Sequence, residues 1–144
     1  MVNPLETISP EDTNIIIVDD EASNRDIFTQ FLKLEGFQVY SAVDGEDGLQ
    51  KIEEIHPDLV LLDILMPRVG GYEVCSRIKY NPETLFLPVV MITALRGSEE
   101  KIKGVAIGAD DFLSKPFNNL ELATRAKSLL RVKSLHDALE GYNR

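Results

Sequence analysis

The amino-acid sequence predicts an α/β fold, (βα)5, in which a doubly wound parallel sheet of five strands carries helices on both faces. From residue 14 onward, short β-branched and apolar runs alternate with longer segments of helical periodicity. The first, third and fourth runs are almost wholly apolar, which is typical of strands covered on both faces. Glycine and proline mark most boundaries between these segments.

The predicted strands β1 to β5 cover residues 15–18, 37–42, 59–62, 88–92 and 112–114, and the predicted helices α1 to α5 cover about residues 22–35, 45–55, 71–80, 98–107 and 120–140. Gly36 follows α1, and Pro57 and Pro82 follow α2 and α3. Asn118 and Glu121 resemble a capping box at the start of α5. Five strands favour the flavodoxin-like order 2-1-3-4-5, with a ligand site at the carboxyl ends of β1 and β3.

The composition narrows the possible classes of partner. A chain of 144 residues has room for one domain, and its net charge of −9 argues against a nucleic-acid surface or an anionic membrane as direct partner. The single cysteine, Cys75, excludes a disulfide framework, and the widely separated His56 and His136 argue against a Cys/His zinc cluster. No apolar run is long enough to cross a membrane. We therefore expect a reduced, cytoplasmic protein.

Polar residues follow four of the predicted strands. Asp19 and Asp20 follow β1, Asp63 follows β3, Thr93 follows β4, and Lys115 follows the last residues of β5. The carboxyl ends of parallel strands share one edge of the sheet, so these side chains are expected to converge in one crevice.

This group of side chains favours magnesium and phosphoryl chemistry. Three carboxylates in one crevice repel each other unless a cation binds, and oxygen ligands favour Mg²⁺ or Mn²⁺ over zinc. Lys115 can hold a phosphoryl oxygen, and Thr93 can donate a hydrogen bond to one. An aspartate can itself accept a phosphoryl group, and Asp63, alone at its strand end, is the best candidate.

Each of these residues also has an ordinary structural interpretation. Asp20 or Glu21 could cap α1, and Asp63 could be a turn residue. Lys115 could be solvated, and Thr93 could simply end a strand. The functional interpretation depends on all four strand ends carrying such residues at the same edge.

Four motifs resemble those of the receiver domain of response regulators in two-component phosphorelay systems. They are IIIVDDE at 15–21, LVLLDILMP at 59–67, VVMITA at 89–94 and GADDFLSKPF at 108–117. The resemblance covers about residues 14–133. It implies a signalling domain that takes a phosphoryl group from a phosphohistidine on a sensor kinase or phosphotransfer protein. Its chemistry is limited to its own phosphorylation and dephosphorylation, so it is not an enzyme with an external turnover.

The resemblance assigns roles residue by residue. Asp63 is the phosphoacceptor, and Mg²⁺ is bound by Asp20, Asp63 and the backbone carbonyl of Leu65, with Asp19 acting through water. The phosphoryl group is held by Lys115, Thr93 and the backbone of Ala94, and the Lys115–Pro116 bond is cis. Thr93 and Phe112 form the switch that changes the α4–β5–α5 face, although Phe112 could also be a plain core residue.

Two departures from the usual receiver pattern have physical consequences. Gly70 stands where an aspartate usually caps the third helix, so a looser start of α3 is expected. Leu65 and Leu95 place apolar side chains two positions beyond Asp63 and Thr93. Both should flank the path of an attacking water, which predicts slow self-dephosphorylation.

The two ends of the chain are expected to lie outside the receiver domain of residues 14–131. Residues 1–13 are predicted to be a flexible tail. Residues 132–144 are predicted to be a helical extension without a glycine C-cap, carrying an apolar stripe of Val132, Leu135, Leu139 and Tyr142 at heptad spacing. The stripe favours a homodimer seam or a linker to a missing output module, which could be enzymatic. A homodimer through the α4–β5–α5 face is the other arrangement that we consider. The alternative is a long helix packed on its own domain.

Two other functions remain open at this stage. A receiver-like docking module that takes no phosphate would have the same fold. A haloacid-dehalogenase-type phosphatase also uses an aspartate, Mg²⁺, a hydroxyl residue and a lysine, but it needs a second acid two positions after the nucleophile. Here that position is Leu65.

Overall fold

The computed structural model describes residues 9–93, 103, 105, 107–115 and 118–141. Its strands are β1 (Asn14–Val18), β2 (Gln38–Ala42), β3 (Leu59–Asp63), β4 (Val89–Thr93) and β5 (Asp111–Ser114). Its helices are α1 (Ala22–Leu34), α2 (Gly45–Ile55), α3 (Gly71–Lys79) and α5 (Asn119–Glu140), with a short 3-10 helix at Pro10–Asp12. In the segment predicted as α4, the described residues Lys103, Val105 and Ile107 are helical.

The five strands form one parallel sheet in the order β2-β1-β3-β4-β5, which confirms the predicted fold and strand order. Val18 pairs with Leu62, and Asp63 pairs with Ile92. This register brings the carboxyl ends of β1, β3 and β4 to a common level at one edge of the sheet.

The sheet has a separate apolar core on each face, as its continuous apolar strands predict. Along β1, Ile15 and Ile17 point into one core, whereas Ile16 and Val18 point into the other. Helices α1 and α5 cover the first core with Phe28, Leu32, Leu122, Ala126 and Leu130. Helices α2 and α3 cover the second core with Ile52, Val74, Cys75 and Ile78. The site edge is therefore supported by helices on both faces.

The predicted helix boundaries lie at the expected residues. Gly36 follows α1 in the left-handed region, with φ 97°. His56, immediately before Pro57, ends α2 with φ 54°. The Asn118 side chain accepts a hydrogen bond of 2.7 Å from the Glu121 amide at the start of α5. Gly70 occupies the N-cap of α3 without a side-chain hydrogen bond.

Part of the predicted N-terminal tail is folded. After Ser9, the 3-10 helix leads to Thr13, which is 7% exposed and whose hydroxyl donates to the Ser9 carbonyl at 2.8 Å. The Gln38 amide donates to the Thr13 carbonyl at 3.0 Å, so this segment is attached to the start of β2. The remaining part of the predicted tail, residues 1–8, lies outside the described residues.

The C-terminal extension differs from its prediction at its end. Gly141 caps α5 with φ 76°, so the expectation of a helix without a glycine cap was wrong. One face of the extension packs on its own domain, since Lys133 is 6% exposed and His136 stacks on Phe86 with ring centroids 3.9 Å apart. The apolar stripe lies elsewhere on the helix: Val132 and Leu139 are exposed, and Leu135 is half-buried. Tyr142 lies outside the described residues.

Among the helices that the structure describes, none is long and apolar enough to cross a membrane.

Candidate functional site

Three carboxylates meet at the carboxyl edge of the sheet. Asp19, Asp20 and Asp63 each offer one oxygen atom, and these oxygens all lie within 4.8 Å of one another. The pairing of β1 with β3 brings them together, because Val18 and Leu62 are register partners and an aspartate follows each. Asp63, which follows Asp20 by 43 positions in sequence, thus joins Asp19 and Asp20 in one acidic cluster.

The two aspartates after β1 have different surroundings. Asp19 is 2% exposed, and its Oδ1 accepts a hydrogen bond of 2.9 Å from the Glu21 amide. Asp20 is exposed to solvent and points into the cluster from the crevice side. The N-cap of α1 is Glu21, which makes no side-chain capping bond. Helix capping therefore does not account for Asp20 or Glu21 here.

Asp63 is the last residue of the central strand β3 and is partly buried. Its Oδ1 accepts a long hydrogen bond of 3.4 Å from the Leu65 amide. The pKa of Asp63 is raised from 3.8 to about 6, chiefly by burial and then by the nearby Asp19 charge, and this rise is partly offset by Lys115 and the Leu65 amide. The surroundings of Asp63 thus disfavour the charged form of its carboxyl group.

Thr93 and Lys115 belong to the other side of the crevice. Thr93 ends β4 and is 1% exposed, and its carbonyl accepts a hydrogen bond of 2.7 Å from the Lys115 amide. The positive charge of Lys115 lowers the pKa of Asp63, which places Lys115 in electrostatic reach of the acidic cluster. Ala94, Leu95 and Pro116 lie outside the described residues, as does the predicted cis bond.

Phe112 lies on β5, where it pairs with Met91 of β4. It is half-buried and packs against the core between the sheet and helices α2 and α3. Thr93 lies two residues further along β4 than Met91, opposite Ser114. The two residues predicted to form the switch therefore stand on adjacent strands.

The residues present fit a divalent cation of the magnesium type. All three side chains of the cluster offer carboxylate oxygens, with no sulfur or imidazole ligand among them. After burial, the charges of Asp19 and Asp20 also raise the pKa of Asp63, because the three carboxylates repel one another. A cation at this point would relieve that repulsion.

The sequence analysis overlooked three residues that shape the site. Arg25 of α1 donates a hydrogen bond of 2.7 Å to the Asp19 carbonyl. Gly71 lies so close to the backbone of Asp63 that a Cβ atom would come within 2.3 Å of the Asp63 carbonyl oxygen. Arg68 has a left-handed backbone and pairs with Asp44 at 2.9 Å. The Gly70–Gly71 pair was a sequence signal for the close approach, whereas neither arginine had one.

A five-stranded parallel sheet with an acidic cluster, a threonine and a lysine at its carboxyl edge defines a receiver-type signalling domain. The family model described as response regulator receiver domain matches residues 15–127, and the chain belongs to this family. This confirms the family resemblance found in the sequence.

Similar proteins include both regulators and solved receiver structures. The DNA-binding dual master transcriptional regulator RpaA of Synechocystis sp. (strain PCC 6803) is 40% identical over 117 residues, covering 81% of this chain and 48% of RpaA. The chemotaxis protein CheY4 of Vibrio cholerae has a TM-score of 0.77 and 30% identity, covering 81% of this chain and 98% of CheY4. NtrX of Brucella abortus has a TM-score of 0.81 and 32% identity, covering 90% of this chain and 29% of NtrX. The chain spans about half the length of the curated relatives that it matches.

Proposed function

We propose that this receiver domain takes a phosphoryl group onto Asp63 from a phosphohistidine of a sensor kinase or phosphotransfer protein. The observation that carries the proposal is the position of Asp63, which ends the central strand within 4.8 Å of two further carboxylates and in the field of Lys115. A carboxylate in such a place can act as nucleophile toward phosphorus. The bond from the histidine nitrogen to phosphorus breaks as the bond from an Asp63 oxygen to phosphorus forms.

The surrounding residues would bind the cation and neutralise the charge of the phosphoryl group. Asp20, Asp63 and the Leu65 carbonyl would hold Mg²⁺ or Mn²⁺, with Asp19 acting through water. When bound, the cation supplies positive charge to the phosphoryl oxygens. Lys115 attracts the same oxygens from the β5 side, and Thr93 and the Ala94 backbone donate hydrogen bonds to them. Arg25 keeps Asp19 in place through its backbone carbonyl.

The phosphoryl group then biases the conformation of the α4–β5–α5 face. The Thr93 hydroxyl turns toward the new phosphoryl oxygens, and the half-buried Phe112 on the adjacent strand repacks into the space that opens. The result is a population shift between two packed states, driven by a local change of charge. Phe112 has no hydroxyl, so an outward ring is not held by a hydrogen bond as a tyrosine would be.

Intact mass spectrometry tests the phosphoacceptor role. The protein is incubated with phosphoramidate or acetyl phosphate, with Mg²⁺ or with a chelator, next to Asp63→Asn and Asp20→Asn variants. Asp26→Asn is a matched control, because Asp26 is an exposed aspartate of α1 outside the acidic cluster. We expect one phosphoryl group on the wild type and on the control in Mg²⁺, and none on Asp63→Asn.

The same experiment distinguishes the receiver from the two alternative functions, a docking module and a phosphatase. A folded protein that gains no mass with either donor would favour a docking module that takes no phosphate. A receiver also releases inorganic phosphate slowly as its aspartyl phosphate hydrolyses and forms again, so rapid release through many turnovers with no accumulation of phosphorylated protein would favour a phosphatase. That outcome would conflict with Leu65, which is a leucine where a dehalogenase-type phosphatase has its second acid.

We also propose a division of roles along the chain. Residues 14–131 act as the receiver, and the extension from residue 132 acts as a homodimer seam or as a connection to an output module, which could be enzymatic. RpaA is described as DNA-binding. The net charge of −9 disfavours contact with DNA through these 144 residues, so we assign no nucleic-acid contact to them.

A further inference from the structure

Arg68 occupies a backbone conformation that ordinary residues avoid. It lies in the loop between β3 and α3 with φ 63°, in the left-handed region that glycine adopts at little cost. Its side chain is 72% exposed, so burial does not force this conformation. Strained backbone of this kind persists where surrounding contacts impose it, and it is frequent at functional sites.

In this conformation Arg68 forms an ion pair across the site edge. Arg68 Nη2 lies 2.9 Å from Asp44 Oδ2. The other oxygen, Asp44 Oδ1, accepts a hydrogen bond of 2.8 Å from the Asp47 amide and so caps α2. Asp44 is therefore a fixed anchor, and Arg68 ties the β3–α3 loop to the start of α2.

A second contact joins the same two segments. Gly45, the first residue of α2, lies so close to Val69 that a Cβ atom would come within 2.4 Å of the Val69 carbonyl oxygen. The far end of the loop is held to its beginning, because the Gly71 amide donates to the Ile64 carbonyl at 3.0 Å. The loop is thus clamped at Arg68 and Val69 on one side and at Gly71 on the other.

The strand order places this clamp beside the acidic cluster. In the sheet, β1 lies between β2 and β3, so a link from the segment after β2 to the loop after β3 spans the end of β1. Asp19 and Asp20 follow β1 at that point. The clamped loop begins directly after Asp63 and contains Leu65, whose carbonyl is proposed as a ligand.

From these contacts we infer that Arg68 is a positioning residue for the metal and phosphoryl site. Its ion pair with Asp44 holds the β3–α3 loop in the strained form that keeps Asp63 and the Leu65 carbonyl aimed at the cation. This inference depends on the proposed function, in which that cation and Asp63 act together.

Two variants separate positioning from simple electrostatics. Arg68→Gly removes a positive charge and accepts the positive φ without strain, whereas Asp44→Asn removes a negative charge and keeps an oxygen able to cap α2. Electrostatics alone would raise Mg²⁺ affinity in Arg68→Gly and lower it in Asp44→Asn. Positioning predicts that both variants bind Mg²⁺ more weakly, by about two- to fivefold, because each breaks the same exposed ion pair.

One of the measurements requires neither bound metal nor a phosphoryl group on the protein. Isothermal titration calorimetry gives the Mg²⁺ affinity, and hydrogen exchange of residues 64–70 without metal reports the order of the loop. We expect faster exchange in both variants. Arg68→Gly should keep or raise the Tm, since the backbone strain is relieved, while the rate of phosphorylation by phosphoramidate falls. Arg68→Lys should restore part of the Mg²⁺ affinity.

The control is Arg77→Ala, which removes another exposed arginine from an ion pair with Glu73 on α3. Opposite changes of Mg²⁺ affinity in Arg68→Gly and Asp44→Asn, or changes equal to that of Arg77→Ala, would overturn the positioning role. A wild-type protein that binds no Mg²⁺ and takes no phosphoryl group would instead overturn the proposed function. The two failures are therefore distinguishable.

Discussion

At the scale of the residue, the carboxyl of Asp63 links the site to the stability of the fold. Its pKa is raised from 3.8 to about 6 by burial and by the Asp19 charge. A carboxyl group whose pKa is higher in the folded than in the unfolded state stabilises the fold at pH values below its unfolded pKa. For Asp63 this contribution is lost as the pH rises through about 6. Above that pH the ionised Asp63 therefore destabilises the metal-free protein.

Asp63→Asn should consequently stabilise the metal-free protein at pH 8. We expect a gain of about 1 kcal/mol after allowance for solvent screening, which corresponds to about 3 °C in Tm. The gain should shrink at pH 4.5, where the wild-type carboxyl is largely protonated. Thermal unfolding with a chelator at both pH values measures the difference. An equal gain at the two pH values would contradict the assignment of the shifted pKa to Asp63.

Under the proposed function, we expect Leu65 to limit the access of water to a phosphorylated Asp63. Its side chain is 58% exposed two positions after Asp63, so it lies on the solvent side of the site. Leu65→Asn places a hydrogen-bonding amide there, and we expect it to speed hydrolysis by about tenfold, equal to about 1.4 kcal/mol in the barrier. The decay of the phosphorylated mass after removal of the donor gives the rate. Leu34→Asn, at an exposed leucine of α1, is the control. Rapid decay in the wild type, unchanged by Leu65→Asn, would contradict the shielding role.

At the scale of the element, the C-terminal extension of α5, from residue 132, is attached to the domain through a charged cluster as well as through the packing of His136 on Phe86. Lys133 Nζ lies 3.5 Å from Asp58 Oδ1 and 2.6 Å from Asp137 Oδ2, with the lysine side chain 6% exposed. Asp58 is itself held by the Asn14 amide at 2.9 Å. A cleft of about 490 Å³ lies beside this cluster, and its lining includes His56, Pro82, Phe86, Lys133 and His136.

Lys133→Ala should therefore destabilise the protein. The substitution removes the buried lysine and leaves the partly exposed Asp58 and Asp137 without their cation, which we expect to cost about 1–3 kcal/mol. Urea unfolding measures the loss, and hydrogen exchange of residues 132–140 should show the extension released. Val132→Ala, at an exposed position of the same helix, should change stability by less than about 0.5 kcal/mol. Unchanged exchange in Lys133→Ala would show that the extension docks without this cluster.

At the scale of the whole molecule, the apolar stripe of the extension predicts self-association. Val132 and Leu139 are 62% and 77% exposed and lie seven residues apart, on a different side of α5 from the docked Lys133. Two heptads form a short seam, so we expect a weak dimer that dissociates on dilution. Sedimentation velocity over a concentration series measures it, and Leu139→Glu should abolish it. Monomer behaviour at every concentration, with and without phosphorylation, would contradict the dimer.

The pattern of apolar residues is sufficient to predict the layers of this fold. A strand such as β3 that is apolar throughout has to be covered on both faces, which requires helices on each side of a parallel sheet. Residues at strand ends then share an edge whatever their distance in sequence, so Asp19, Asp20, Asp63, Thr93 and Lys115 could be grouped before any coordinates. Periodicity and strand ends are local properties, and a single chain displays them directly.

Contacts between segments far apart in sequence required the tertiary structure. The ion pair of Arg68 with Asp44 and the docking of Lys133 on Asp58 each join residues that carry no local signal of their partner. The folded state of residues 9–13, which had been assigned to a flexible tail, and the docked face of the extension followed from such contacts. Local patterns thus determined the layers and the acidic edge of this receiver. Side-chain pairing across the folded surface decided how its loops and ends are held, because the energy of such a pair depends on a distance that only the complete fold sets.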